Sequence, residues 1–235
     1  MLTVLFSAYA LAHLAMFVWL LRMLRAGATP AAAIVALVAA GLTYDNGMIA
    51  LGSAIGIGPL LETLSWPRFA LHAAFTPCIM VAAWQMARAA GIAWALNAQA
   101  YSVLWLLVAA MVAYGVFFDL LGLEVQPACL GDTLRYSSST PAPQFCSPDQ
   151  VQLPGHGPPV PSIVTVIICL IVGGGLWRRA AWPWLFAAAL AMFIAAGIPQ
   201  TQTGPVFGNG GEVILQAGFT MTASRIRQWG AETGA

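Results

Sequence analysis

Lysine is absent from this chain of 235 residues, and all nine of its basic residues are arginine. Without lysine no retinal Schiff base can form, so a helical bundle of this size is not a retinal protein of that kind. Lysine-based pyridoxal chemistry falls with it. Charge of either sign is scarce: 7% of residues are charged and 60% hydrophobic, with a mean hydropathy of +0.81. A soluble domain carries about 25% charged residues. Such a chain cannot cover a water-facing surface, and the composition predicts an all-α, polytopic integral membrane bundle forming a single transmembrane domain over 1–235. The net charge of +1 and the lack of a basic patch give no reason to expect a nucleic-acid partner. Missing too are the spacings HxxxH, HExxH and CxxC, and the nucleophile elbow GxSxG. The triple glycine at 173–175 precedes no phosphate-binding context and is read as a close helix contact.

What is present is a series of apolar runs near the length of about 20 residues that a spanning helix needs. They cover roughly 1–24, 31–53, 66–90, 99–121, 161–177, 180–198 and 209–224, predicting about seven transmembrane helices, the last one amphipathic. The first run has no basic residues ahead of it; its arginines follow, which favours a spanning helix over a cleaved signal peptide. Arg22, Arg25, Arg88, Arg178, Arg179, Arg225 and Arg227 fall in alternate connections, leaving Arg68 and Arg135 for the other side. The positive-inside rule then puts the N-terminus outside and the C-terminus inside. A bacterial inner (plasma) membrane is the expected location.

The one long connection, 122–160, is rich in Pro, Ser and Gln and falls outside. It carries Cys129 and Cys146, whose compartment and spacing predict a disulfide. Cys78 and Cys169 lie in spans and are read as plain buried residues. His13, in mid-span, is read as structural, and His156, in LPGHGPP, as a solvated loop residue.

The polar residues gather at one end. Asp45 lies about 15 residues into span 2, some 20 Å from its inner end at about 1.5 Å per residue. Glu62 is placed in the following external connection, and Trp66-Pro67 is read as the start of span 3. Arg68, His72 and Thr76 form an i, i+4, i+8 stripe there, and Asn209, Glu212, Gln216 and Thr220 form another on span 7. Stripes of this kind face the bundle interior, because polar groups are costly against lipid tails. The Gly-Pro segments 52–65 and 199–211 are expected to form re-entrant lips of an outward-facing pocket, covered by protein or water.

Asp45, Glu62, His72 and Glu212 are the candidate catalytic residues; Tyr44, Asn46, Arg68, Tyr114, Asn209 and Gln216 are candidates for substrate contact. For Asp45 two readings stand level: a proton donor or anion at a cavity, or the partner of Arg68. Asn46 either orients Asp45 or bonds backbone. Tyr44, Trp66, Tyr114 and Phe118 suit the wall of a cavity that stabilises a cation, and equally an interfacial belt. No cofactor is expected. His72 with Asp45, Glu62 and Glu212 suits a metal by ligand type, without a supporting motif.

With an acidic residue in an early helix, Asp45 or Glu62, and another in a late one, Glu212, the chain resembles the small heptahelical membrane-bound terpene cyclases of meroterpenoid pathways. The resemblance rests on topology and acid placement, and the Trp-Glu pair of that family is absent. It implies protonation-driven cyclisation. Hence an intramembrane enzyme is expected, working by carboxylate acid–base chemistry (cyclisation, isomerisation or hydrolysis) on an isoprenoid or other lipid-soluble substrate. Its pocket would open to the outer leaflet, with membrane lipid and a hydrophobic small molecule as partners. The alternative is a small-molecule or proton-coupled transporter with Asp45, Arg68 and Glu212 as its site. Against it, the inner halves of the spans hold almost no ionisable groups.

Overall fold

The computed structural model describes residues 1–153 and 159–233, the side chains of 227–233 excepted. His156 lies outside the described residues, as do the side chains of Arg227 and Glu232. The helices are α1 (Leu2–Arg25), α2 (Pro30–Ile55), α3 (Pro59–Phe75), α4 (Cys78–Ala89), the short α5 (Ala93–Leu96), α6 (Ala98–Tyr114), α7 (Val160–Ala180), α8 (Trp184–Ala196), the short α9 (Gln200–Thr203) and α10 (Val206–Thr233). Five segments among the described residues are long and apolar enough to cross a membrane: α1, α2, α3 with α4, α6 extended to Leu120, and α7. α8 is apolar but only 13 residues long, about 20 Å at 1.5 Å per residue. α10 has the length, but its polar stripe keeps it out of that group.

Helix starts follow local chemistry. Pro30 and Pro59 occupy first-turn positions, where the missing N–H costs nothing. Asn97 caps α6 by accepting the Ala100 N–H at 3.0 Å. Span 3 begins earlier than expected. Proline at 59 opens the helix, so Glu62 sits in its first turn rather than in a connection, and Pro67 lies inside α3 rather than at its start. The break comes instead at Thr76-Pro77, between α3 and α4. The re-entrant lips are likewise replaced. Residues 52–55 finish α2, a turn with Gly56 at φ 85° follows, and residues 199–211 form α9 and the first turns of α10.

The connection after α6 is a folded cap rather than a plain loop. Gly115–Leu120 continue α6 as a π-helical turn, and then β1 (Gln126–Leu130) pairs antiparallel with β2 (Thr133–Ser137) across Gly131-Asp132. Asp132 in that turn receives the Met1 ammonium and the amides of Leu2 (2.7 Å) and Thr3 (3.4 Å). These donors hold its carboxyl below the usual carboxylate range and tie the start of α1 to the hairpin. Ser53 donates to the Asp132 carbonyl at 2.8 Å. A Cβ at Gly52 would overlap the Leu134 carbonyl oxygen, so β2 lies directly on α2 there. Met48, Leu61, Leu134 and Tyr136 form a small apolar core beneath the cap.

The predicted disulfide is present: Cys129 and Cys146 are bonded, with Cα atoms 5.1 Å apart. It holds the 3₁₀ turn Ala142–Gln144 against the hairpin. The buried Gln144 accepts from Arg135 at 2.6 Å and donates to the carbonyls of Gln200 (2.5 Å) and Thr201 (3.1 Å). The cap therefore grips both the α2–α3 end and the α8–α10 end of the bundle. At the opposite end, the main core joins α1, α2, α4, α7, α8 and α10 around Ala36, Ala83, Met86, Leu176, Leu185 and Phe219. Gly173 is the tight contact expected of the glycine run, for a Cβ there would stand 2.6 Å from the Phe186 nitrogen.

Candidate functional site

Below the cap, α2, α3 and α10 bring their polar residues together. Asp45 is ten residues short of the end of α2, about 15 Å along the axis, and is almost fully buried. Its Oδ1 accepts from Arg68 Nε at 2.7 Å, and its Oδ2 accepts from Asn209 Nδ2 at 3.0 Å. Arg68 Nη1 also donates to the Tyr136 carbonyl at 3.3 Å, linking the pair to the cap. Asn209 Nδ2 further reaches Asn46 Oδ1 at 3.0 Å, while Asn46 Nδ2 donates to the Leu42 carbonyl at 2.9 Å. Both polar ends of Asn46 are thus committed to protein. Asp45, Asn46, Arg68 and Asn209 form a closed network in which every charge has a partner, the condition a buried ion pair needs.

One turn further along both stripes the situation changes. His72 Nε2 faces Glu212 Oε1 at 3.8 Å, too far for a hydrogen bond. Glu212 Oε2 is buried and has no hydrogen-bond partner. Ligand atoms of Asp45, His72 and Glu212 all lie within 4.8 Å of one another. The His72 side chain is 41% exposed and that of Glu212 18%, so this pair forms the open edge of a cluster whose other edge is sealed.

That edge borders a cavity of about 60 Å³ enclosed by α2, α3, α4, α7, α8 and α10. Thr76, Ser162, Thr165 and Gln216 add polar groups to its wall, and Val38, Leu42, Val166, Met192, Leu215 and Phe219 make the rest apolar. A shallow groove of about 20 Å³ between α2 and α3 shares Val38, Leu42, His72 and Thr76 with the cavity and is otherwise lined by Gly41, Leu71 and Phe75. His72 borders both spaces. Gln216, on the cavity wall, donates to the Val35 carbonyl at 2.9 Å, and Thr220, one turn further along α10, donates to the Gln216 carbonyl at 2.8 Å.

Of the sequence-derived candidates, the fold assembles Asp45, Asn46, Arg68, His72, Asn209, Glu212 and Gln216. The others lie elsewhere. Glu62 is half-buried in the first turn of α3 and is not among the groups that converge. Tyr44 donates its hydroxyl to the Leu64 carbonyl at 2.7 Å. Tyr114 packs on Phe118, ring centroids 4.6 Å apart, while Phe118 and Trp66 are exposed on the bundle surface. None of these four aromatic residues lines the cavity.

Ser162, Thr165 and Met192 were not anticipated. The hydroxyls at the start of α7 are spaced i, i+3, which is the signal that marks them. His13 is fully buried with neither ring nitrogen partnered, and it lies within electrostatic reach of Asp45. No protein-family model matches the chain, and no curated protein or solved structure shows significant similarity to it.

Proposed function

We propose that this chain is an intramembrane enzyme acting on a lipid-soluble substrate by acid–base chemistry at His72 and Glu212. The observation that carries the reading is the orphaned carboxylate oxygen of Glu212, held beside His72 at the mouth of a cavity with apolar walls. An unsatisfied buried polar atom costs about 1–3 kcal/mol, a cost that chemistry at the site accounts for. Asp45 and Arg68 supply the rigid charged frame, which moves the proton-handling role from Asp45 to the pair next to it. A cavity of about 60 Å³ takes a reacting group and not a whole lipid. The groove between α2 and α3 is smaller still, about 20 Å³, so an isoprenoid or acyl tail would lie along its Leu42, Leu71 and Phe75 lining and extend into the bilayer.

Proton delivery by one member of the pair and removal by the other needs no co-reactant, so cyclisation or isomerisation is the favoured reaction class. In the membrane, α8 and α10 join the five long segments to make seven crossings. The arginines at the ends of α1, α4, α7 and α10 support an inner placement of that end, with the cap outside, in a bacterial inner membrane. The transporter alternative is disfavoured by Gln216 and Thr220, whose side chains beyond Glu212 on α10 are bonded to backbone carbonyls.

Mass spectrometry of small molecules retained by protein purified in mild detergent tests the reading. A lipid-soluble compound held by the natural sequence and lost from Leu42→Trp, which fills the groove, is expected. Equal retention by both proteins overturns it.

A further inference from the structure

We infer that Asp45, His72 and Glu212 bind a single first-row divalent cation, with one coordination position open to the cavity. The inference deepens the pocket reading and rests on it. Three geometric facts carry it. The 3.8 Å gap between His72 Nε2 and Glu212 Oε1 is too long for a hydrogen bond. It suits two ligands of one ion, since metal–ligand distances of about 2.0–2.2 Å place neighbouring ligand atoms about 3–4.4 Å apart. Asp45 joins them: one ligand atom from each of the three residues lies within 4.8 Å of the others, so small side-chain rotations bring the set onto one ion. Glu212 Oε2, buried and without a partner, is an acceptor with nothing to accept from.

One imidazole nitrogen with two carboxylates is a ligand set for zinc, manganese or ferrous iron rather than for calcium or copper(I). Asp45 is already oriented by Arg68 and Asn209, and each carboxylate oxygen keeps a second lone pair for an ion. Those two residues are the outer partners that fix a ligating carboxylate. Three protein ligands leave a position for water or substrate, as in catalytic rather than structural sites. With an ion bound, His72 would serve as a ligand rather than as a proton carrier; what the inference keeps from the pocket reading is the cavity and its lipid-soluble occupant.

The test uses the full chain in detergent, its purification tag removed, stripped with chelator and titrated with Co²⁺, whose visible absorption reports coordination. One Co²⁺ per chain is expected, displaced by Zn²⁺. Affinity should fall at least about tenfold in His72→Ala and in Glu212→Gln, and about 10–100-fold in the outer-partner variant Asn209→Ala. The exposed Glu124→Gln should bind as the parent does. Gel filtration and thermal melting check that each variant is folded. Should the variants fail to fold, the parent decides alone. Binding of one Co²⁺ with an imidazole-nitrogen coupling that persists in His156→Ala supports the site, and absence of either overturns it. Equal binding by folded His72→Ala or Glu212→Gln overturns it as well. Retention of a lipid-soluble compound without metal binding would sink the metal site and spare the pocket reading; the reverse result would do the opposite.

Discussion

Replacing Asp45 by asparagine and Glu212 by glutamine separates the two halves of the polar cluster, because the structure assigns them opposite effects on stability. Asp45 and Arg68 are 4% and 8% exposed, and the carboxylate receives the guanidinium at 2.7 Å and Asn209 at 3.0 Å. Asp45→Asn keeps the shape but leaves the guanidinium buried without a counter-charge, at a cost of about 3–5 kcal/mol. For a chain of this size about 1 kcal/mol moves the melting temperature by roughly 2–4 °C, so a drop of about 6–20 °C is expected. Glu212 has a buried oxygen with no hydrogen-bond partner, and its other oxygen stands 3.8 Å from His72, beyond hydrogen-bond distance. Glu212→Gln therefore removes a burden, and melting within about 2 °C of the parent, or above it, is expected, the pattern of a group kept for function. Both measurements are made in chelator, so that no bound cation adds to the parent's stability. Thermal unfolding in detergent, followed by tryptophan fluorescence, is the assay. If Glu212→Gln melts as low as Asp45→Asn, or if Asp45→Asn melts with the parent, the division into a structural frame and a reactive pair is refuted.

Gly52→Ala should lower stability by about 1–3 kcal/mol, because its methyl group meets the Leu134 carbonyl. Gly47→Ala, with open space around it, should be neutral or stabilising by comparison. Opening the Cys129–Cys146 bridge, by reductant or by the double serine variant, should cost about 3 kcal/mol for a loop of this size. Coincident melting curves with and without reductant would contradict that.

The polar stripes were legible because their signal is local. In a chain with 7% charged residues, the three-and-four spacing of Arg68 and His72, and of Asn209, Glu212 and Gln216, allows only the bundle interior. The disulfide was legible from compartment and spacing. The hairpin was missed although Gly131-Asp132 between two short runs is a two-residue hairpin signal; proline and serine on both sides masked it. Glu62 was misplaced because Pro67 was taken to open a helix that Pro59 opens, and in a chain this rich in apolar residues either proline satisfies the pattern.

By itself, then, the sequence determined the helical class, the apolar segments, the disulfide and which faces carry polar groups, all consequences of composition and period along one chain. Only the tertiary structure decided who partners whom. Arg68 reaches across to Asp45, 23 residues back, and Asn209 reaches the same carboxylate across 164 residues. That double claim on Asp45 satisfies it and leaves Glu212 facing His72 across a gap that no hydrogen bond closes. No period or spacing encodes such a difference, because it arises from where three helices and a cap place a few oxygen and nitrogen atoms.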